Sequence, residues 1–211
     1  MPQPLALFPL QLVVYPNEVL NLHIFEARYR QLVRDVEEEG ITFAVPTVID
    51  GTIRPLATEV VLDEVARRYE SGESDIRCRG RRLVRIRDFE PVSRSGPYPG
   101  GTVDFVEVDL AEDYQLNEEI LRMVRAIYKS LDIEKEVPDN TPSFTVYELG
   151  HFIGLTLEQE YELLTLTEAL DRQQFVREHL RNIRPTTRKA REMRDRAAFN
   201  GHFRELRPPN F

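Results

Sequence analysis

A chain of 211 residues with a single cysteine, Cys78, is long enough to bury on the order of 70% of its unfolded surface, and it needs neither a disulfide nor a metal for stability. No apolar run approaches the roughly 18 residues of a membrane span, and the opening MPQPLALFPL lacks a basic start and is broken by prolines, so a reducing cytoplasm is the expected location. The net charge of −8 argues against a general nucleic-acid binder, yet it is unevenly spread. From Arg172 onward eleven Lys and Arg face four Asp and Glu, a net of +7, while the preceding residues carry seventeen against thirty-two, a net of −15.

Leu5 to Phe8, Leu10 to Val14 and Val19 to Leu22 are short β-type runs, cut by Pro9 and by a Pro16-Asn17 turn, because proline cannot donate to a strand ladder. From Ile24 the spacing turns helical: Ile24, Phe25, Arg28, Tyr29, Leu32, Val33 and Val36 form one stripe that stops at Gly40. A kinked strand pair running into an amphipathic helix is the prediction for this stretch.

Ile41 to Val45 reads as a buried strand ending at Pro46, followed by an Asp50-Gly51 hairpin turn. Ala57 to Arg67 and Asp75 to Phe89, separated by a Ser71-Gly72-Glu73 turn, form a long antiparallel arm, with a second turn expected at Arg79-Gly80-Arg81. Arg77, Arg79, Arg81, Arg82, Arg85 and Arg87 can be read as a phosphate-tracking ribbon or as the solvent face of strands whose Ile76, Cys78, Val84 and Ile86 enter a core. The second reading is preferred, since acidic residues abound to neutralise them. Ser93 to Gly101 is a Gly- and Pro-rich loop, and Thr102 to Leu110 alternates as the last strand.

Leu116, Ile120, Val124, Ile127 and Leu131 keep helical spacing, and Glu134 to Pro142 is a polar loop. A helix is expected over Phe144 to Phe152, terminated by Gly154. Thr156-x-x-Gln159 is a capping box, and Thr165-x-x-Glu168 suggests a second one, dividing the remaining pattern into two bent helices. Beyond Pro185 the chain is Arg-rich. That tail can engage RNA, an acidic partner or the acidic body, or simply form a solvated helix packed through Met193, Ala197 and Phe199, the reading preferred here.

No chemical motif stands out. A nucleotide-binding loop needs G-x-x-x-x-G-K-[ST], whereas Lys129 alone precedes a hydroxyl residue and has no glycine near it upstream. No G-x-S-x-G elbow exists, and Cys78 in an alternating strand reads as a small core residue. His23 and Glu26 sit three apart but lack the further ligands a zinc ion demands, and Glu37 to Glu39 and Glu118-Glu119 are solvated helix faces. Catalytic, cofactor and metal residues are therefore assigned to none. Tyr15, Tyr69 and Tyr98, in or beside turns that escape core packing, are the nominated peptide-binding residues.

The run LFPLQLVVYPNEVLNLHIFEARYRQLV, Leu7 to Val33, resembles the start of the substrate-binding domain that opens the ATP-dependent protease Lon, and is most like the small bacterial proteins that carry this domain alone. IRCRGRRLVRIRDF, Ile76 to Phe89, and the helical segment from Ser143 to Leu180 are similar to later parts of the same domain, so the likeness runs from about residue 5 to 183. The resemblance implies an α+β protein: an N-terminal PUA-like β pseudo-barrel with one amphipathic helix (1–110), a C-terminal α-helical bundle (111–183) and a basic tail (184–211). It further implies a non-catalytic module that contacts unfolded or degron-bearing polypeptides, with a protease or chaperone as a further partner and without Lon's ATPase or its Ser-Lys protease. An RNA-binding PUA-like protein using the basic tail is the alternative.

Overall fold

The computed structural model of the chain, which describes residues 2–183 and Pro208, places six strands and one helix before residue 108 and three helices after it. These form two units, residues 2–107 with Pro208 and residues 108–183.

In the first unit, β1 (Gln3–Leu7), β3 (Phe43–Ile49), β4 (Thr52–Arg68), β5 (Ser74–Ile86) and β6 (Gly100–Val106) close into a five-stranded barrel, because β6 pairs with β1 on one side and β5 on the other. β2 (Val19–Ile24) is added to the outer half of β5, from Val19 opposite Arg79 to Ile24 opposite Ser74. The expected strand pair at the N-terminus is therefore not a pair: β1 lies between β3 and β6, and Leu10 to Val14 makes only a bridge at Leu10 to Thr47. Ile24 ends β2, and α1 starts at Ala27 and runs to Glu39, closed by Gly40 at φ 68° with its N–H on the Val36 carbonyl.

β3 is buried at every position, since its two faces serve different cores. Ala44 enters the narrow barrel interior with Leu7, Ala57, Val84 and Val103, while Phe43 and Val45 join Leu20, Leu22, Ile76 and Cys78 beneath α1. Small alanines on neighbouring strands suit a barrel of few strands, whose interior holds little more than side chains. Pro46 lies inside β3, at a bulge, and does not end it. Asp50 and Gly51, at φ 51° and 73°, have the double positive φ that a two-residue hairpin turn requires.

Gly80 is not a turn. It lies within the continuous β5, where Glu59 pairs with Arg82 and Val60 with Gly80, so that Arg81 is the extra residue of a bulge. A Cβ on Gly80 would stand 2.1 Å from the Tyr15 carbonyl oxygen. The Pro16-Asn17 turn clamps onto this bare backbone: Gly80 N–H donates to Glu18 O (2.8 Å) and Asn17 N–H to Gly80 O (2.9 Å). The arginines of β5 face outward; Arg77, Arg79 and Arg82 pair with Glu64, Asp63 and Glu59, and Arg87, just past the strand, pairs with Asp104.

In the second unit, α2 (Tyr114–Leu131) is capped by the Asp113 carboxylate, which accepts from Leu116 N–H at 2.7 Å, and it buries Ile120, Leu121, Val124, Tyr128 and Leu131. The helix expected at Phe144 to Phe152 is instead one 3-10 turn, Val146–Leu149, after which the chain turns until Gly154 (φ 76°). α3 (Leu157–Thr165) begins at the Thr156–Gln159 capping box. Thr165 does not cap the final helix: it ends α3, its hydroxyl donates to Glu162 O, and α4 (Ala169–Arg181) starts at Glu168 without a side-chain cap. α4 packs against α2, α3 and the 3-10 turn. At its start, Arg172 is fully buried, pairing with Glu112 and donating to the carbonyls of Asp109, Leu166 and Thr167. The basic tail lies outside the described residues, apart from Pro208, which is buried.

Candidate functional site

The parallel contact between β1 and β3 is brief: only Ala6 opposite Phe43 and Leu7 opposite Ala44. β3 begins at Phe43, so among the described residues Gln3 to Leu5 has β6 on one side and no strand on the other. The gap is a groove of about 670 Å³, floored by β1 and β6 and walled by Ile41-Thr42, by the Arg81–Arg82 bulge and by the loop from Asp88 to Gly101.

Each wall is held by local chemistry. The loop is pinned to the start of β6 by reciprocal bonds between Glu90 and Gly100 (2.8 and 2.9 Å) and by the Asp88 carboxylate, which accepts from the Thr102 amide and hydroxyl. Glycine is needed at position 101, where a Cβ would lie 2.3 Å from the Asp88 carbonyl oxygen. Within the loop the Ser93 hydroxyl accepts from Ser95 and Gly96 N–H, both at 3.1 Å. On the opposite wall the Glu59 carboxylate, 3% exposed, accepts from Thr42 Oγ1 (2.6 Å) and Arg82 Nε (2.5 Å). Held there, the Arg82 guanidinium lies 3.5 Å above the ring of Phe105, which remains 36% exposed. The groove thus offers open strand edge, an aromatic face and guanidinium groups.

Of the nominated tyrosines, Tyr15 and Tyr69 lie away from the groove and Tyr98 lies beneath it. Tyr15 and Tyr98 are each 1% exposed and cannot present their rings to a ligand, because the turns that hold them fold back onto the barrel. Tyr98 underlies the groove, and its hydroxyl donates to Asp35 Oδ2 on α1 at 2.7 Å; burial first, and then this bond, raises its pKa above the usual phenol range. Tyr69 is half-buried at the far end of the β4–β5 arm. Its hydroxyl donates to Asp75 (2.8 Å), its ring lies beneath Arg67, and it does not line the groove. The Tyr69 bond and the His23 ring, 2.7 Å from Asp75, hold the Asp75 carboxyl low against the upward pull of its burial. His23 thus meets Asp75, while Glu26 takes Arg28 at 3.0 Å; among the described residues no three His, Cys, Asp or Glu side chains gather as a metal site. Cys78 is buried, and burial pushes its thiol up to about 12.

Phe105 was absent from the sequence nominations, and Arg81 and Arg82 entered them only as part of a basic ribbon whose solvent-face reading was preferred. Their signal was a glycine inside an alternating strand followed by two arginines, the pattern of a bulge, which sets neighbouring side chains on one side of the strand.

The family model for the ATP-dependent protease La (LON) substrate-binding domain matches residues 4–182. The chain belongs to this family. Among solved structures, this Lon substrate-binding domain is similar to a Lon N-terminal domain protein from Xanthomonas campestris, with a TM-score of 0.64 and 24% identity over 86% of this chain and 99% of that one. It also matches the N-terminal domain of a Mycobacterium avium complex Lon protease, with a TM-score of 0.47 and 15% identity over 94% of this chain and 100% of that one. No curated protein matches it significantly. The Xanthomonas likeness bears on fold, and the closed barrel with four helices is consistent with a Lon N-terminal domain.

Proposed function

We propose that this Lon substrate-binding domain holds unfolded or degron-bearing polypeptide without acting on it, the client lying extended in the groove beside β1. The observation that carries this reading is the open edge of β1 at Gln3 to Leu5, next to the part-exposed ring of Phe105 with the Arg82 guanidinium stacked on it. An extended chain placed there can donate to the Pro4 carbonyl, the main-chain group of this edge that is turned away from β6, and bury a side chain against the ring. Main-chain recognition is indifferent to sequence, which suits a module meeting many clients.

Binding without turnover accords with the residues at hand. The sequence has no phosphate-binding loop, the Cys78 thiol is inaccessible, and the Glu59 carboxylate on the groove wall is engaged by Thr42 and Arg82. On this reading the bound client is passed to a protease or chaperone within the cytoplasm.

The test is titration of a fluorescently labelled, permanently unfolded polypeptide with the full chain, followed by anisotropy. Binding is expected, and Phe105→Ala weakens it without changing the circular dichroism of the protein. Absence of binding to any of several unfolded clients, or binding indifferent to Phe105→Ala, sinks the reading.

A further inference from the structure

Resting on the groove reading of function, we infer that the groove recognises a carboxylate on the bound polypeptide, received by Arg81 and Arg94. In a regular strand Arg81 and Arg82 would point to opposite faces. Because Arg81 is the extra residue of the bulge, both side chains line the groove. Bulges re-aim side chains in this way beside functional sites.

The two arginines differ from their neighbours in what they meet. Arg77, Arg79, Arg82 and Arg87 each have an acidic partner, whereas neither Arg81 nor Arg94 has a carboxylate within ion-pair distance among the described residues. Among the described residues Arg85 of the same strand also lacks an acidic partner, but it stands outside the groove. What sets Arg81 and Arg94 apart is that, in a chain of net charge −8, both are unpaired cations on the walls of one groove. The acids of the lining are mostly engaged: Glu59 by Thr42 and Arg82, and Asp88 by the Thr102 amide and hydroxyl. Glu90 adds one carboxylate, so the preference is for an acid at a particular position of the client and not for a polyanion.

Guanidinium groups match a carboxylate through paired N–H donors, and a half-enclosed groove screens the contact less than open surface does. A main-chain bond at Pro4 orients an extended client without fixing its register. A charged contact at one place would fix its register as well.

The carboxylate can come from an Asp or Glu side chain or from a free C-terminus, and short peptides separate the two. One apolar peptide carries a central Asp and its partner a central Asn, each with a free and an amidated end. Anisotropy should show the best anionic form binding roughly fivefold more tightly than its neutral counterpart. Arg81→Gln and Arg94→Gln should abolish that difference, while Arg85→Gln, an exposed arginine of the same strand outside the groove, preserves it. Loss of affinity with Asn places the carboxylate on a side chain, and loss with amidation places it at the terminus. Equal binding of all four peptides, still weakened by Phe105→Ala, overturns the carboxylate inference and leaves the groove reading standing. Failure of every peptide to bind overturns both.

Discussion

Arg172 and Glu112 face each other at 3.3 Å with side chains 0% and 1% exposed, a charge pair enclosed in the helical unit. Every part of it is used. The guanidinium also donates to the carbonyls of Asp109, Leu166 and Thr167 and lies over the Tyr147 ring, while Glu112 Oε2 accepts from Val146 N–H at 2.9 Å. The start of α4 is thereby tied to the segment before α2 and to the 3-10 turn. Removing one partner of such a pair leaves the other charge buried alone, so Arg172→Ala is expected to lower stability by about 3–5 kcal/mol in urea unfolding.

Burial raises the Glu112 carboxyl above its ordinary value, with the Val146 amide and Arg172 pulling it back only in part. A carboxyl whose folded pKa lies above its unfolded one contributes stability that is fully present below the unfolded value, about 4.3, and is lost as pH rises through the folded value. Glu112→Gln lacks this titration. Its stability relative to wild type should therefore rise as pH is increased from about 4 and then level off, a trend readable from melting temperatures across pH.

Gly80 offers a comparison of two glycines. Gly80→Ala drives a Cβ into the Tyr15 carbonyl, a backbone atom that cannot swing aside, and should destabilise by about 2–3 kcal/mol. Gly40→Ala meets nothing within 4 Å and bears only the strain of its positive φ, about 1 kcal/mol. Equal losses in denaturant melts would show that the clamp of residues 15–18 on β5 gives way easily.

Cys78 lies between Leu20 and Leu62 in the sheet, fully buried, with its thiol pushed up to about 12. Thiolate is the reactive form, so alkylation at mildly alkaline pH should be negligible in the native protein and rapid in denaturant. Labelling monitored by mass spectrometry then reports opening of the core beneath α1. Fast labelling of native protein would contradict the packing of that core.

The Tyr98 hydroxyl and the Gln31 amide supply Asp35 with bonds of 2.7 and 2.6 Å. Tyr98→Phe strips one of them from a carboxylate that is 9% exposed and should cost about 1–2 kcal/mol, measured by thermal unfolding. Since Tyr98 also underlies the groove, the same variant should bind client more weakly than its stability loss explains.

Much of the fold was legible because its signals are local. Gly40, Asp50-Gly51, Gly72 and the Thr156–Gln159 box are read from neighbours within a few residues, and each stands where its φ or its cap requires. The Phe144 to Phe152 helix failed because its apolar residues are spaced for a helix, while the Thr145 cap and the turns after Leu149 bury them through a single 3-10 turn. Gly80 was misread for a related reason. A glycine between arginines looks like a turn, and only the arrival of Tyr15 from a distant part of the chain explains it.

The sequence by itself determined most kinds of element, their order and the family, since periodicity, caps and a long shared run of residues do not depend on what lies across the sheet. Tertiary structure decided which strands are neighbours. A period of two tells which face a residue takes but not which strand it meets, so the closure of β6 onto β5, the short contact of β1 with β3 and the groove beside it could come only from the folded chain. The burial of Tyr15 and Tyr98, and the place of Arg81 in the groove wall, come from that same closure.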